Sequence, residues 1–274
     1  MGVVHQAAFL ARHFAAEIIL LHAVTSMSYP AGLLESGHEL TARDLHAEII
    51  KRAQKDLDES LLQELDGIAV KRLVLRGDPA REITQTARDQ KVDLIVMSTH
   101  GVGAVYRFLL GSVAAKVLHD SDCLVWTGAH QEKAPEGEFA IRNVLCAVDL
   151  SVHSRYTVSR AAEFATEFGA RLTLVHITGS VDIYGPGGSH VLPEWKDAIV
   201  GIATKEIAKL QQDAGTKAEV IIDSGNVHKL LNRAAEQAKA DVLVIGHMPS
   251  GGHLGENGGG YSIIRESRIP VLSV

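Results

Sequence analysis

Cysteine is nearly absent: Cys123 and Cys146 are the two in 274 residues. That is too few for a disulfide framework, and neither stands in a Cys-x-x-Cys pair or at zinc-ligand spacing. Both sit in apolar runs, where a buried and inert thiol is expected. No apolar run reaches the length of a membrane span. The opening residues have neither the basic start nor the small-residue cleavage site of a secretory signal. A reducing cytoplasm is the expected compartment, with no membrane partner. Basic residues are not in excess either: 27 Lys and Arg face 33 Asp and Glu, a net charge of −6. Nothing in that balance recommends nucleic acid as a partner.

What is present is a globular composition, 46% hydrophobic and 22% charged, in a chain long enough for two ordinary domains. The chain is also written twice. Phe14-Ala15-Ala16-Glu17-Ile18-Ile19-Leu20-Leu21-His22 aligns with Phe168-Gly169-Ala170-Arg171-Leu172-Thr173-Leu174-Val175-His176. Val92-Asp93-Leu94-Ile95-Val96 aligns with Ala240-Asp241-Val242-Leu243-Val244, and Gly77 with Gly225. The correspondences run in the same order with nearly constant offset, which indicates two homologous domains, 1–130 and 141–274, joined by a linker over 131–140.

The second copy is the complete one. Val144–Val148 is an apolar run too short for a helix and predicts a buried strand stopping at Asp149. Ser151 or Ser154 can cap a helix reaching about Phe168, which Gly169 ends. The spacing then predicts strand 172–177, a Gly-rich loop around Gly185–Gly188, helix 193–213, strand 218–222, helix 227–239, strand 242–245, a Gly-rich loop, a short helix near Tyr261 and strand 271–274. Apolar strands alternating with helices call for a doubly wound parallel α/β sheet. Ligands bind such sheets at the carboxyl ends of the strands. The first copy predicts strand 18–24, a helix over 40–65 with a solvated charged face, strand 70–75, and a helix capped by Asp78 with Pro79 as its first residue. Strand 94–97, helix 112–119 and strand 124–126 complete it. Its first strand has no residues: the counterpart of Asp149 would precede Met1. Removing a central strand leaves two half-sheets with unpaired edges, so additional upstream sequence is the expectation.

After strand 94–97 the chain reads Ser98-Thr99-His100-Gly101, nine residues, then Gly111-Ser112-Val113. Gly101 and Gly111 permit close backbone approach to a ligand or a positive φ. Ser112 opens a helix, where its hydroxyl and the free N–H groups can hold phosphate oxygens. A βα loop with a serine cap and no ligand explains the same spacing. The stretch resembles the universal stress protein motif, Gly-x2-Gly-x9-Gly-Ser/Thr, with Ser98 in place of its first glycine, and the likeness covers nearly the whole chain in two copies. It implies two five-stranded sheets of the flavodoxin/Rossmann-like, adenine-nucleotide alpha-hydrolase-like type. It also implies ATP as ligand, with or without Mg. Nucleotide roles fall to Met97, Ser98, Gly101, Gly111, Ser112 and Val113, with Val24 walling the adenine pocket. In the second copy Asp149 is the implied adenine contact, beside Gly246. Its loop departs from the motif, since Pro249 takes the second glycine's place and Glu256 would repel phosphate.

The resemblance further implies a regulatory role in stress response. The last strands, Leu124–Trp126 and Val271–Val274, would pair within the chain as an internal pseudo-dimer, and a homodimer is a further expectation. A nucleotide-free scaffold acting through protein contacts is the alternative. No nucleophile elbow and no Walker lysine occur. No catalytic residue is therefore expected, and at most slow ATP hydrolysis. Fourteen histidines invite a metal reading, but His100, His119, His130 and His247 lack ligand spacing, and no metal site is expected. The paired positions of His22 and His176 point to a shared structural role.

Overall fold

The runs that read as strands pair as strands, and the way they pair determines where a ligand could sit. The computed structural model describes residues 2–25, 39–99, 110–128, 139–178, 183–185, 188–190, 193–246 and 259–274. The linker, apart from residues 139–140, lies outside them, as do Gly101, His100, His130 and His247.

In the first copy the elements are α1 (Gly2–Phe14), β1 (Ile18–Val24), α2 (Glu39–Glu59), β2 (Val70–Arg76), α3 (Pro79–Asp89), β3 (Leu94–Met97), α4 (Ser112–Asp120) and β4 (Leu124–Thr127). The second copy opens with β5 (Asn143–Ala147), which has no counterpart among the described residues of the first. It continues through α5 (Ser154–Glu167), β6 (Arg171–Thr178), the short strands β7 (Ile183–Gly185) and β8 (Gly188–His190), α6 (Pro193–Ala214), β9 (Glu219–Ser224), α7 (Val227–Ala238), β10 (Val242–Ile245), α8 (Gly259–Glu266) and β11 (Val271–Ser273). On either side of the loop expected around Gly185–Gly188, β7 and β8 pair antiparallel.

The second copy is doubly wound as expected, in the order β9-β6-β5-β10-β11, all parallel. Its sheet continues into the first copy, because β11 pairs antiparallel with β4, giving one seven-stranded sheet that ends at β3. Trp126 stands opposite Leu272, with Val125 and Thr127 opposite Ser273 and Val271, so a pseudo-twofold axis runs through that pair. The strands β1 and β2 form a separate parallel pair. Among the described residues no strand lies between β1 and β3, the place that β5 takes between β6 and β10.

Side chains alternate across the sheet and build a core on each face. Val144, Cys146, Val244 and Trp126 pack with Leu10 of α1, Val158 and Ala161 of α5 and Ile207 of α6. Leu145, Val125, Val175 and Leu243 pack with α3, α4, α7 and α8. Near the axis the C-terminal ends of α1 and α5 meet: Phe14 contacts Phe168 edge-on at 5.7 Å, and His13 bonds Glu167 at 3.0 Å.

Two boundaries differ from expectation for local reasons. The helix predicted to reach Leu65 stops at Glu59. There Arg72 donates to the carbonyls of Leu57 and Ser60, at 3.0 and 3.1 Å, while Arg12 holds those of Glu64 and Asp66. These guanidinium groups satisfy carbonyls that another helical turn would have used, and Leu61 takes φ 54°. At α5 neither Ser151 nor Ser154 provides a side-chain cap; the N-cap is His153, and both hydroxyls serve the Asp149 turn instead. Asp78 caps α3 as expected, accepting from the Arg81 N–H, with Pro79 first in the helix.

Candidate functional site

In the first copy the residues singled out by sequence lie at the carboxyl ends of β1 and β3 and at the start of α4. Met97 ends β3, half-buried against the core, and its carbonyl accepts from the Gly128 N–H at 3.0 Å. Ser98 follows, exposed to solvent. Thr99 is buried, and its carbonyl accepts from the Gly111 N–H at 2.9 Å, closing the neck of the loop that carries Gly101. Gly111 is the N-cap of α4 at φ −58° and ψ 140°. Any residue can adopt that conformation, so of the two sequence readings for Gly111 a positive φ is ruled out and close approach remains.

Ser112 is the first helical residue and not the cap; Gly111 occupies the cap and makes no side-chain bond. The Ser112 side chain is exposed. The N–H groups of Ser112, Val113 and Ala114 have no intrahelical acceptors, since the ladder begins with Ala115 N–H onto the Gly111 carbonyl at 3.0 Å. Val113 packs inward and fixes this turn on the core. The result is an exposed hydroxyl beside free amides at the positive end of a helix, an arrangement that attracts phosphate.

Sequence reasoning passed over Lys116, one turn along α4. Its ammonium lies 3.2 Å from Asp78 Oδ2, so it ties α4 to the carboxylate that caps α3. The Arg81 N–H, then Lys116, hold the Asp78 carboxyl below its ordinary range. The four-residue spacing from Ser112 to Lys116 was the available signal.

Val24 ends β1, opposite Arg76 of β2, and its carbonyl accepts from the Gly77 N–H at 3.1 Å. It belongs to the β1–β2 pair, whereas Met97 through Val113 belong to the seven-stranded sheet. No strand ladder joins them among the described residues; α3 touches both β1 and α4.

In the second copy the chain brings Asp149 and Gly246 to the carboxyl ends of two neighbouring strands, β5 and β10. Asp149 Oδ1 accepts from the Ser151 N–H at 3.0 Å and the Ser154 hydroxyl at 2.7 Å. Burial alone would raise this carboxyl, but those donors outweigh it and hold the group below its usual range. Leu150 beside it takes φ 60°, a strained position for a non-glycine residue and one typical of working loops. Gly246 has a packing reason to be glycine: an added Cβ would lie 2.7 Å from Thr157 Oγ1 of α5. The loop bearing Pro249 and Glu256 lies outside the described residues.

The paired histidines differ. His176 is buried and its Nδ1 meets the Val148 carbonyl at 2.7 Å, while His22 is exposed. Val148 follows β5, and among the described residues no counterpart of it stands beside His22. No group of His, Cys, Asp and Glu able to hold a metal occurs among the described residues. Cys146 is fully enclosed, and burial pushes its thiol up to about 12, in line with an inert role. No helix among the described residues is long and apolar enough to cross a membrane.

The profile of the universal stress protein family matches residues 2–127 and again 140–274. A universal stress protein of Mycolicibacterium smegmatis is 28% identical over 281 aligned positions, covering 94% of this chain and 87% of that protein. One from Methanocaldococcus jannaschii is 33% identical over 119 residues, covering 42% of this chain and 66% of its own length, just under two thirds. Among solved structures, a universal stress protein from Archaeoglobus fulgidus superposes with a TM-score of 0.69 at 21% identity, covering 99% of this chain and 92% of that one; this likeness concerns the fold.

Proposed function

The chain belongs to the universal stress protein family, and on that premise we propose that it is a cytoplasmic adenine-nucleotide-binding protein with a regulatory role in stress response. The observation that carries this reading is the start of α4, with Gly111 as cap, Ser112 exposed and three amides without helical partners. Phosphates of ATP, with or without Mg, would sit against Ser98, Gly101, Gly111, Ser112 and Val113, with the base toward Val24 and Met97. The second copy, with Asp149 and Gly246 side by side, would take an adenine-containing ligand whose phosphate contacts are weaker, because Pro249 and Glu256 spoil the loop chemistry.

A nucleotide-free scaffold is the second reading. Its support is the loop of the second copy, where Pro249 takes the second glycine's place and Glu256 would repel phosphate. Pairing of β4 with β11 uses both of those edges, so a homodimer would form through another surface.

Titration with ATP separates the two readings. Ser112→Ala removes one hydroxyl from a charged ligand, a loss of about 1.5–3 kcal/mol, or roughly ten- to a hundredfold in affinity. Equal affinity of wild type and variant would move the phosphates away from α4.

A further inference from the structure

We propose that Ser154 is a positioning residue of the second copy: its hydroxyl locks Asp149 so that Oδ2 is the oxygen offered to a ligand, which favours a base bearing an exocyclic amine. The proposal rests on the adenine-nucleotide reading of that copy and adds the side chain that sets its base preference. Asp149 follows β5 and is exposed. Its Oδ1 accepts from the Ser151 N–H at 3.0 Å and from the Ser154 hydroxyl at 2.7 Å, and neither bond uses Oδ2. Ser154 opens α5 and is 2% exposed, so the exposed carboxylate is held by a buried donor. A hydroxyl has one proton to give, and this one goes to Asp149.

The turn around Asp149 is fixed on both sides. Before it, the Val148 N–H donates to the Val175 carbonyl at 2.9 Å, and His176 Nδ1 meets the Val148 carbonyl at 2.7 Å. After it, the Ser154 N–H donates to the Ser151 carbonyl at 3.1 Å, while Ser151 Oγ accepts from the His153 N–H at 3.3 Å. Leu150 holds φ 60° between these ties, a conformation that persists where the surroundings over-determine it. One turn along α5, Thr157 is buried against Gly246. The first turn of α5 therefore carries two buried hydroxyls, one on the carboxylate after β5 and one against the glycine after β10. Together they set the spacing of Asp149 and Gly246 across two neighbouring strand ends.

A fixed acceptor discriminates because it cannot swing away from a mismatched group. Oδ2 can accept from the 6-amino group of adenine, whereas the 6-carbonyl of hypoxanthine would set lone pairs against lone pairs. Burial raises the Asp149 carboxyl, but the Ser151 N–H and the Ser154 hydroxyl outweigh it, so the group stays an acceptor at neutral pH.

The test follows the Asp149 carboxyl and the Gly246 amide by NMR in the whole chain, with adenosine and inosine as probes. Ser154→Ala should move the Asp149 titration upward and cut the preference for adenosine over inosine, read at Gly246, by about tenfold. Ser154→Thr keeps the hydroxyl and should restore both. A purely structural role would lower the unfolding midpoint of the alanine variant and leave its Asp149 titration and its preference as in the wild type; that result overturns the proposal. Adenosine that leaves Gly246 unshifted in the wild type overturns the adenine reading of this copy, and the proposal with it. Adenosine bound at Gly246 with the same preference in wild type and alanine variant overturns the proposal alone.

Discussion

Trp126→Ala should remove about 3–5 kcal/mol of stability, a large part of the margin of a typical domain. Trp126 is fully buried on the pseudo-twofold axis, opposite Leu272, where the sheets of the two copies join. Phe139 and Phe164 pack on it at 6.4 and 6.3 Å. Its indole N–H donates to Gln6 Oε1 at 2.8 Å, which fastens α1 to the joint. Truncation opens a cavity and leaves the buried Gln6 carbonyl without that donor, so two penalties combine. Trp126→Phe should keep most of the packing and lose chiefly the hydrogen bond, about 1 kcal/mol. Urea unfolding followed by circular dichroism checks both. A loss below 1 kcal/mol for the alanine variant would mean that the two copies are not coupled through this pair.

The second large effect is an asymmetry between residues that the repeat makes equivalent. Asp241→Ala should destabilise by about 2–3 kcal/mol, because a carboxylate holding two main-chain amides makes charge-assisted bonds. Those amides belong to Arg142 and Asn143, the point where the central strand of the second copy begins. Asp93→Ala removes an exposed side chain and should change stability by no more than about 0.5 kcal/mol. Denaturation midpoints of the two variants give the comparison directly. Equal losses would mean that Asp93 makes contacts in solution that its exposure does not show.

The repeat made most of this architecture legible, because strand and helix patterns depend on near neighbours in sequence. Strand Leu94–Met97 and the Asp78-Pro79 helix start lie where the residues predict. What could not be read depends on residues brought in from a distance. The early end of α2 comes from Arg12 and Arg72, and nothing within the helix announces it. His22 and His176 look interchangeable in sequence, yet His176 is buried on the Val148 carbonyl of a neighbouring segment while His22 is exposed. Gly246 looks like part of a phosphate loop, yet its contact with Thr157 gives it a packing role. At the candidate site the Gly-Ser pair was legible, but which of the two caps the helix was not, since that turns on a backbone angle at Gly111.

The central claim, that the first copy holds an adenine nucleotide at the start of α4, is tested most directly by denaturing freshly purified protein and identifying the small molecules released. Gly111→Val belongs alongside, because φ −58° and ψ 140° are open to any residue and a β-branched side chain there should block approach to the amides. ATP or ADP released from the wild type and absent from the variant is the predicted result. No released nucleotide, together with no binding at millimolar ATP, would contradict it and leave the nucleotide-free scaffold as the function of this fold.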